Sequence, residues 1–96
     1  PNLLVFTCTH VLEENLPITY VAHHFEDNNW EFLCNKNHTD LDAVIINIIE
    51  LCEIDSSINS ISDLPVGHYA IREHIDDKWK ICRIKDEPCY APLKHN

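Results

Sequence analysis

Trp30-Glu31-Phe32-Leu33-Cys34 alternates two aromatic rings and a thiol with a carboxylate and a leucine. A period of two puts Trp30, Phe32 and Cys34 on one face of an extended chain, so residues 30–35 are predicted to form a half-buried strand. Glu26-Asp27-Asn28-Asn29, immediately before it, is turn chemistry. Before that turn, Leu16 to His24 carries Ile18, Tyr20 and Ala22 on a common face, with Pro17 at its start, where a missing N–H is tolerable. Two strands joined by such a turn predict a hairpin. Downstream, Asp63-Leu64-Pro65-Val66-Gly67 holds the only glycine in the chain. A lone glycine between a proline-fixed turn and an apolar run marks a backbone position that needs positive φ or a close approach.

Around these two anchors, Leu3 to Cys8 reads as a first strand, Glu13-Glu14-Asn15 as a turn, and Lys36 to Asp42 as a polar loop. Residues 43–54 carry two signals. Ile45, Ile48, Ile49 and Cys52 have helical spacing, whereas Val44-Ile45-Ile46 is β-branched and Asn47 with Glu50 makes a helix-start signature. The reading that uses both is a short strand at 43–46 followed by a helix at 47–54. Asp55 to Asp63 is then a turn or a single-turn helix, and residues 68–75 and 79–84 are two strands around an Asp76-Asp77-Lys78 turn. The expected architecture is α+β: one small domain over residues 1–85, a largely antiparallel sheet of about five to six strands with one short helix packed on it. Residues 86–96, with two prolines, are expected to be an extended C-terminal tail.

With 96 residues, 45% hydrophobic, the chain can bury one core. Its net charge is −9, and six of those charges fall in residues 1–48, where Lys36 is the only cation. That balance argues against a nucleic-acid partner, which requires clustered Lys and Arg, and permits steering toward a basic protein. Glu26, Asp27, Asp40 and Asp42 are the candidate partner-binding residues. No apolar stretch reaches membrane-spanning length, so no membrane partner is expected. Five cysteines at 8, 34, 52, 82 and 89 are an odd number with no close pair. They are expected to be free thiols in a reducing cytoplasm.

Cys8, His10, His23, His24, Cys34 and His38 all fall in the first 38 residues. If the early strands are neighbours, His10, His23, Cys34 and His38 are candidate ligands of a zinc-type site, with Cys8 on the same face as His10. The competing reading puts Cys34 in the core and the histidines at strand ends, with no metal. A Cys/His hydrolase would need an exposed thiolate in electropositive surroundings, whereas Cys34 and Cys52 lie among apolar neighbours, where a thiol's pKa rises. The carboxylate pairs Asp40/Asp42 and Asp76/Asp77 fall in loops, where Asp serves the backbone. A chain with one glycine has no glycine-rich phosphate loop. Neither an enzyme nor a cofactor is expected.

Taken in order, His10, Pro17-Ile18 with Val21 and His23, Trp30 to Cys34, His38, Asp42-Ala43, Asp55 with Ser57-Ile58, Asp63-Leu64-Pro65 with Gly67, and finally Ala70, Arg72 and Trp79 resemble a family of small bacterial proteins. That family is the domain of unknown function grouped with the thirty-third class of immunity proteins in polymorphic toxin systems. The resemblance runs from Thr9 to Trp79. It departs at His68, where the family has an aromatic residue, and at Asn29 and Asn35, where glycine is common; the chain beyond Ile84 lies outside the pattern. The resemblance implies a non-catalytic interaction protein that binds and silences a cognate toxin, and it supplies no catalytic residues.

Overall fold

The computed structural model describes residues 3–84, and the expected tail at 86–96 lies outside them. Six strands form one sheet: β1 (Leu4–Cys8), β2 (Tyr20–His23), β3 (Trp30–Leu33), β4 (Ala43–Asn47), β5 (His68–Ile71) and β6 (Lys80–Arg83). Their order across the sheet is β4-β1-β3-β2-β5-β6. The β2–β3 hairpin forms as expected, with His23 opposite Trp30 and Tyr20 opposite Leu33. Its turn places Asn28 at φ 66° and is held by Asp27, whose carboxylate accepts from the Asn29 backbone and side chain.

Every pairing is antiparallel except one. β1 lies parallel to β3, with Phe6 beside Glu31, and antiparallel to β4 on its other side. A parallel pair brings two C-terminal strand ends to the same edge of the sheet, which a hairpin cannot do. Cys8, the last residue of β1, therefore sits beside the end of β3, one residue before Cys34.

Two α-helices, α1 (Thr9–Glu14) and α2 (Ile48–Ile54), and a 3-10 helix at Ser56–Ile61 accompany the sheet, where one short helix was expected. A further 3-10 turn spans Asp40–Asp42. The expected Glu13-Glu14-Asn15 turn is the end of α1, stopped by Asn15 in the left-handed conformation at φ 57°. Six residues are too few for a hydrophobic period to declare a helix. The strand-then-helix reading of 43–54 matches the structure: the Asn47 side chain caps α2 by accepting from the Ile49 N–H at 2.8 Å. Strands β2, β3, β5 and β6 are shorter than expected, because the chain leaves the ladder at one or both ends of each.

Val5, Val21, Phe32 and Ala70 share the sheet face on which Leu51, Ile58 and Ile61 pack. Trp30 is half-buried at the margin of that core, stacked on His23 at 4.0 Å and on Phe32 at 5.8 Å between ring centroids. The opposite face carries a smaller core of Ala22, Tyr69 and Cys82. Gly67 has φ +78°, while an added Cβ would lie 3.7 Å from Phe25, so conformation rather than space requires glycine there.

One buried network fixes the 3-10 helix to the sheet. Asp55 accepts from the Ser57 N–H and hydroxyl, and the Arg72 guanidinium lies 3.6 Å from the other Asp55 oxygen. Arg72 also donates to the Ile18 carbonyl from Nε and Nη2, to Ser57 Oγ and to the Ile75 carbonyl, and lies 4.0 Å from the Trp79 ring. Burial draws the Arg72 pKa down and the neighbouring carboxylates of Asp55, Asp76 and Asp77 oppose that shift. Of the described residues, no helix is long and apolar enough to cross a membrane.

Candidate functional site

The parallel β1–β3 pairing gathers four side chains at one end of the sheet. Cys8 ends β1, His10 lies in the first turn of α1, Cys34 follows β3, and His38 comes from the loop before the Asp40–Asp42 turn. One ligand atom from each, a sulfur or a ring nitrogen, lies within 4.8 Å of all the others. Cys34 Sγ is the centre: Cys8 Sγ is 3.7 Å away, His10 Nδ1 3.6 Å and His38 Nε2 3.4 Å. The Lys36 N–H also donates to it at 3.4 Å. Both cysteines are buried, both histidines are half-buried, and the two rings stand 5.2 Å apart. Burial pushes the Cys34 thiol up, offset in part by the Lys36 N–H and raised further by Cys8.

Three of the four sequence-predicted ligands, His10, Cys34 and His38, are thus brought together, and Cys8 completes the set. His23 does not belong to it. It lies at the other end of the hairpin, with Nδ1–H donating to the Leu64 carbonyl at 2.8 Å and its ring against Trp30. His24 is likewise apart, paired with Glu31 at 2.9 Å.

The four acidic candidates fall into two groups at opposite ends of β3. Glu26 and Asp27 occupy the β2–β3 turn; Asp40 and Asp42 lie beyond the Cys/His cluster. Two of them serve the backbone. Asp27 holds its turn, and Asp42 accepts from the Thr39 N–H at 2.8 Å in a capping box, a bond that lowers the Asp42 pKa. Missed in the sequence were two apolar neighbours of these acids. Phe25 is 65% exposed beside Glu26, and Leu41 is 91% exposed between Asp40 and Asp42. No composition signal separates an exposed apolar residue in a polar loop from one that folds back onto the core.

The remaining cysteines divide. Cys52 is free, with burial the main cause of its raised pKa and Asp55 adding to it. Cys82 is disulfide-bonded, so the expectation of five free thiols does not hold. Among the described residues, Cys8, Cys34 and Cys52 are free. Compared with known proteins, the chain matches no family model, no curated protein and no solved structure.

Proposed function

We propose that this chain is a non-catalytic interaction protein that binds a basic protein surface and silences its owner by covering it. A toxin is the partner that the sequence resemblance implies. The observation that carries the reading is the pairing of acid with exposed apolar surface, Phe25 with Glu26 and Asp27, and Leu41 with Asp40 and Asp42. Solvated acids alone serve solubility, whereas a phenylalanine or leucine held in water is worth roughly 1.5–3 kcal/mol when a partner covers it. Flanking carboxylates speed encounter with a basic surface and fix its orientation. The two loops lie at opposite ends of β3, a strand about 13 Å long for four residues at 3.3 Å each.

The reading assigns the protein to the cytoplasm of the producing cell. Three free thiols support that assignment and the Cys82 disulfide weighs against it. The functional test is co-expression with the product of the adjacent gene, in cells where that product is toxic. Rescue is expected, with association that slows as salt rises. Phe25→Ala with Leu41→Ala should weaken the complex through faster dissociation, while Glu26→Lys with Asp40→Lys should slow association. Asp27 and Asp42 are left intact in these variants, because they hold local structure. Failure to bind or protect would overturn the immunity reading; retained binding in both double variants would move the interface elsewhere.

A further inference from the structure

The contacts around Cys34 are poorly explained as hydrogen bonds. A thiol has one proton to give and its sulfur is a weak acceptor, so Cys34 can donate in only one of these contacts and the others are at best weak hydrogen bonds. The same distances are explained at once as the edges of a coordination tetrahedron. Zinc bonds of about 2.3 Å to sulfur and 2.0–2.1 Å to nitrogen, at tetrahedral angles, put two sulfurs about 3.8 Å apart and a sulfur and a nitrogen about 3.5 Å apart. The observed sulfur–sulfur edge is 3.7 Å and the two sulfur–nitrogen edges are 3.6 and 3.4 Å. No edge of the set exceeds 4.8 Å, a distance that rotation of a half-buried imidazole can close.

We propose that Cys8, His10, Cys34 and His38 bind one zinc ion as a closed, structural site. Two thiolates and two imidazoles in tetrahedral array suit zinc, and four protein ligands leave no open position for substrate. Binding releases two protons, one from each thiol. The two thiolate charges then balance the dication, and the buried shell is electrically neutral. Local structure agrees. Cys8 is the N-cap of α1 yet makes no side-chain capping bond, in a position where Ser, Thr, Asp or Asn would satisfy the helix. A ligand's role accounts for a cysteine there. The Lys36 N–H, which points at Cys34 Sγ, would offset charge on the thiolate. The ligands come in two close pairs, Cys8-x-His10 and Cys34-x-x-x-His38, one from each of the parallel strand ends. The ion would therefore tie the end of β1, the start of α1 and the loop leading to Asp40–Asp42 into one unit. A cleft beside Cys34, Lys36 and His38, about 440 Å³, gives the ion a way in.

The test uses the whole chain, purified under reducing conditions and reconstituted with metal. One zinc per chain is expected by elemental analysis, and a chelator should lower the melting temperature. Cobalt in place of zinc should give the intense visible bands of a tetrahedral site and a thiolate-to-cobalt charge-transfer band in the near ultraviolet. Cys8→Ser and Cys34→Ser should abolish stoichiometric binding, while His23→Ala and His24→Ala should keep it. Because Cys34→Ser also disturbs the core, His38→Cys supplies a variant that gains rather than loses: it should still bind one cobalt, with a stronger charge-transfer band from the third thiolate. Absence of stoichiometric metal after reconstitution would overturn the proposal. So would a six-coordinate cobalt spectrum, binding undiminished in both serine variants, or a covalent Cys8–Cys34 bond in reduced preparations. Partner binding by the same protein is read separately in the co-expression assay, so either result can fail without the other.

Discussion

Arg72 and Cys34 each stand at the centre of a buried polar cluster, and the two clusters are completed by different means. The guanidinium of Arg72 finds everything it needs within the chain: two carbonyls, a hydroxyl, a carboxylate and an indole face. Asp55 Oδ2 makes no hydrogen bond, but it faces that cation at 3.6 Å. Apart from the Lys36 N–H, Cys34 is surrounded by thiol and imidazole groups that each offer an electron pair, and the hydrogen bonds they can make to one another are weak. A polar cluster whose donors and acceptors match is part of the fold. One whose members share a single character points to something that must be added, here a cation.

The largest expected effect tests the self-contained cluster. Arg72→Ala leaves the Asp55 carboxylate and the Ile18 carbonyl buried without their partner, and should cost about 3–5 kcal/mol in a denaturant melt. The loss should be the same with and without chelator. A cost below about 1 kcal/mol would place Arg72 with exposed ion pairs and dissolve the contrast. Trp30→Ala provides an apolar calibration. The indole is half-buried, so the cost should sit near the low end of the range for tryptophan, about 3 kcal/mol, with zinc stoichiometry unchanged. Loss of zinc in that variant would show that the cluster at the far end of β3 depends on the core margin.

Thiol reactivity sharpens the comparison further. Denatured with chelator and no reductant, the protein should yield three thiols, and five would mean that the Cys82 bond is absent from the purified protein. In the native protein, chelator should speed the reaction of Cys8 and Cys34 and leave Cys52 unchanged. The smallest effect concerns Asp42. Its pKa is lowered from 3.8 chiefly by the Thr39 N–H, so the folded form holds this carboxylate ionised more readily than the unfolded form does. The resulting stability is full above pH 3.8 and is lost as pH falls through the lower folded value. The difference between wild type and Asp42→Asn, measured without metal, should therefore be present at neutral pH and vanish in acid. A difference that persists in acid would assign the effect to packing instead of charge.

What could be read in the sequence was what neighbouring residues decide between themselves. The alternation at 30–34, the turn before it, the cap at Asn47 and the conformation of Gly67 are all local events, and each appears in the structure. The parallel pairing of β1 with β3 is not local, and no hydrophobic pattern announces which distant strand will lie alongside. That pairing selects Cys8 rather than His23 as the fourth member of the cluster. Three of the four members were thus named as candidate ligands, and Cys8, noted only as sharing a face with His10, is joined to them by topology. The acids at 26, 27, 40 and 42 were visible as charge, but their division between backbone duty and display around Phe25 and Leu41 depends on where each loop turns.

The placement of β1 between β3 and β4 also constrains how the chain folds as it is made. Phe6 pairs with Glu31 and Ile45, about 25 and 39 residues further along. At about 5–20 residues per second, the first strand waits roughly two to eight seconds for the second of its neighbours to be synthesised. Until β3 emerges both of its edges are unpaired, and the edge that β4 covers stays open for the whole interval. The β2–β3 hairpin can form early and β1 can then join β3, while the edge strand β4 and the β5–β6 pair complete the sheet later. Such long-range closure slows folding. It also makes the nascent β1 segment the part of the chain most exposed to mispairing with other strands in the cell.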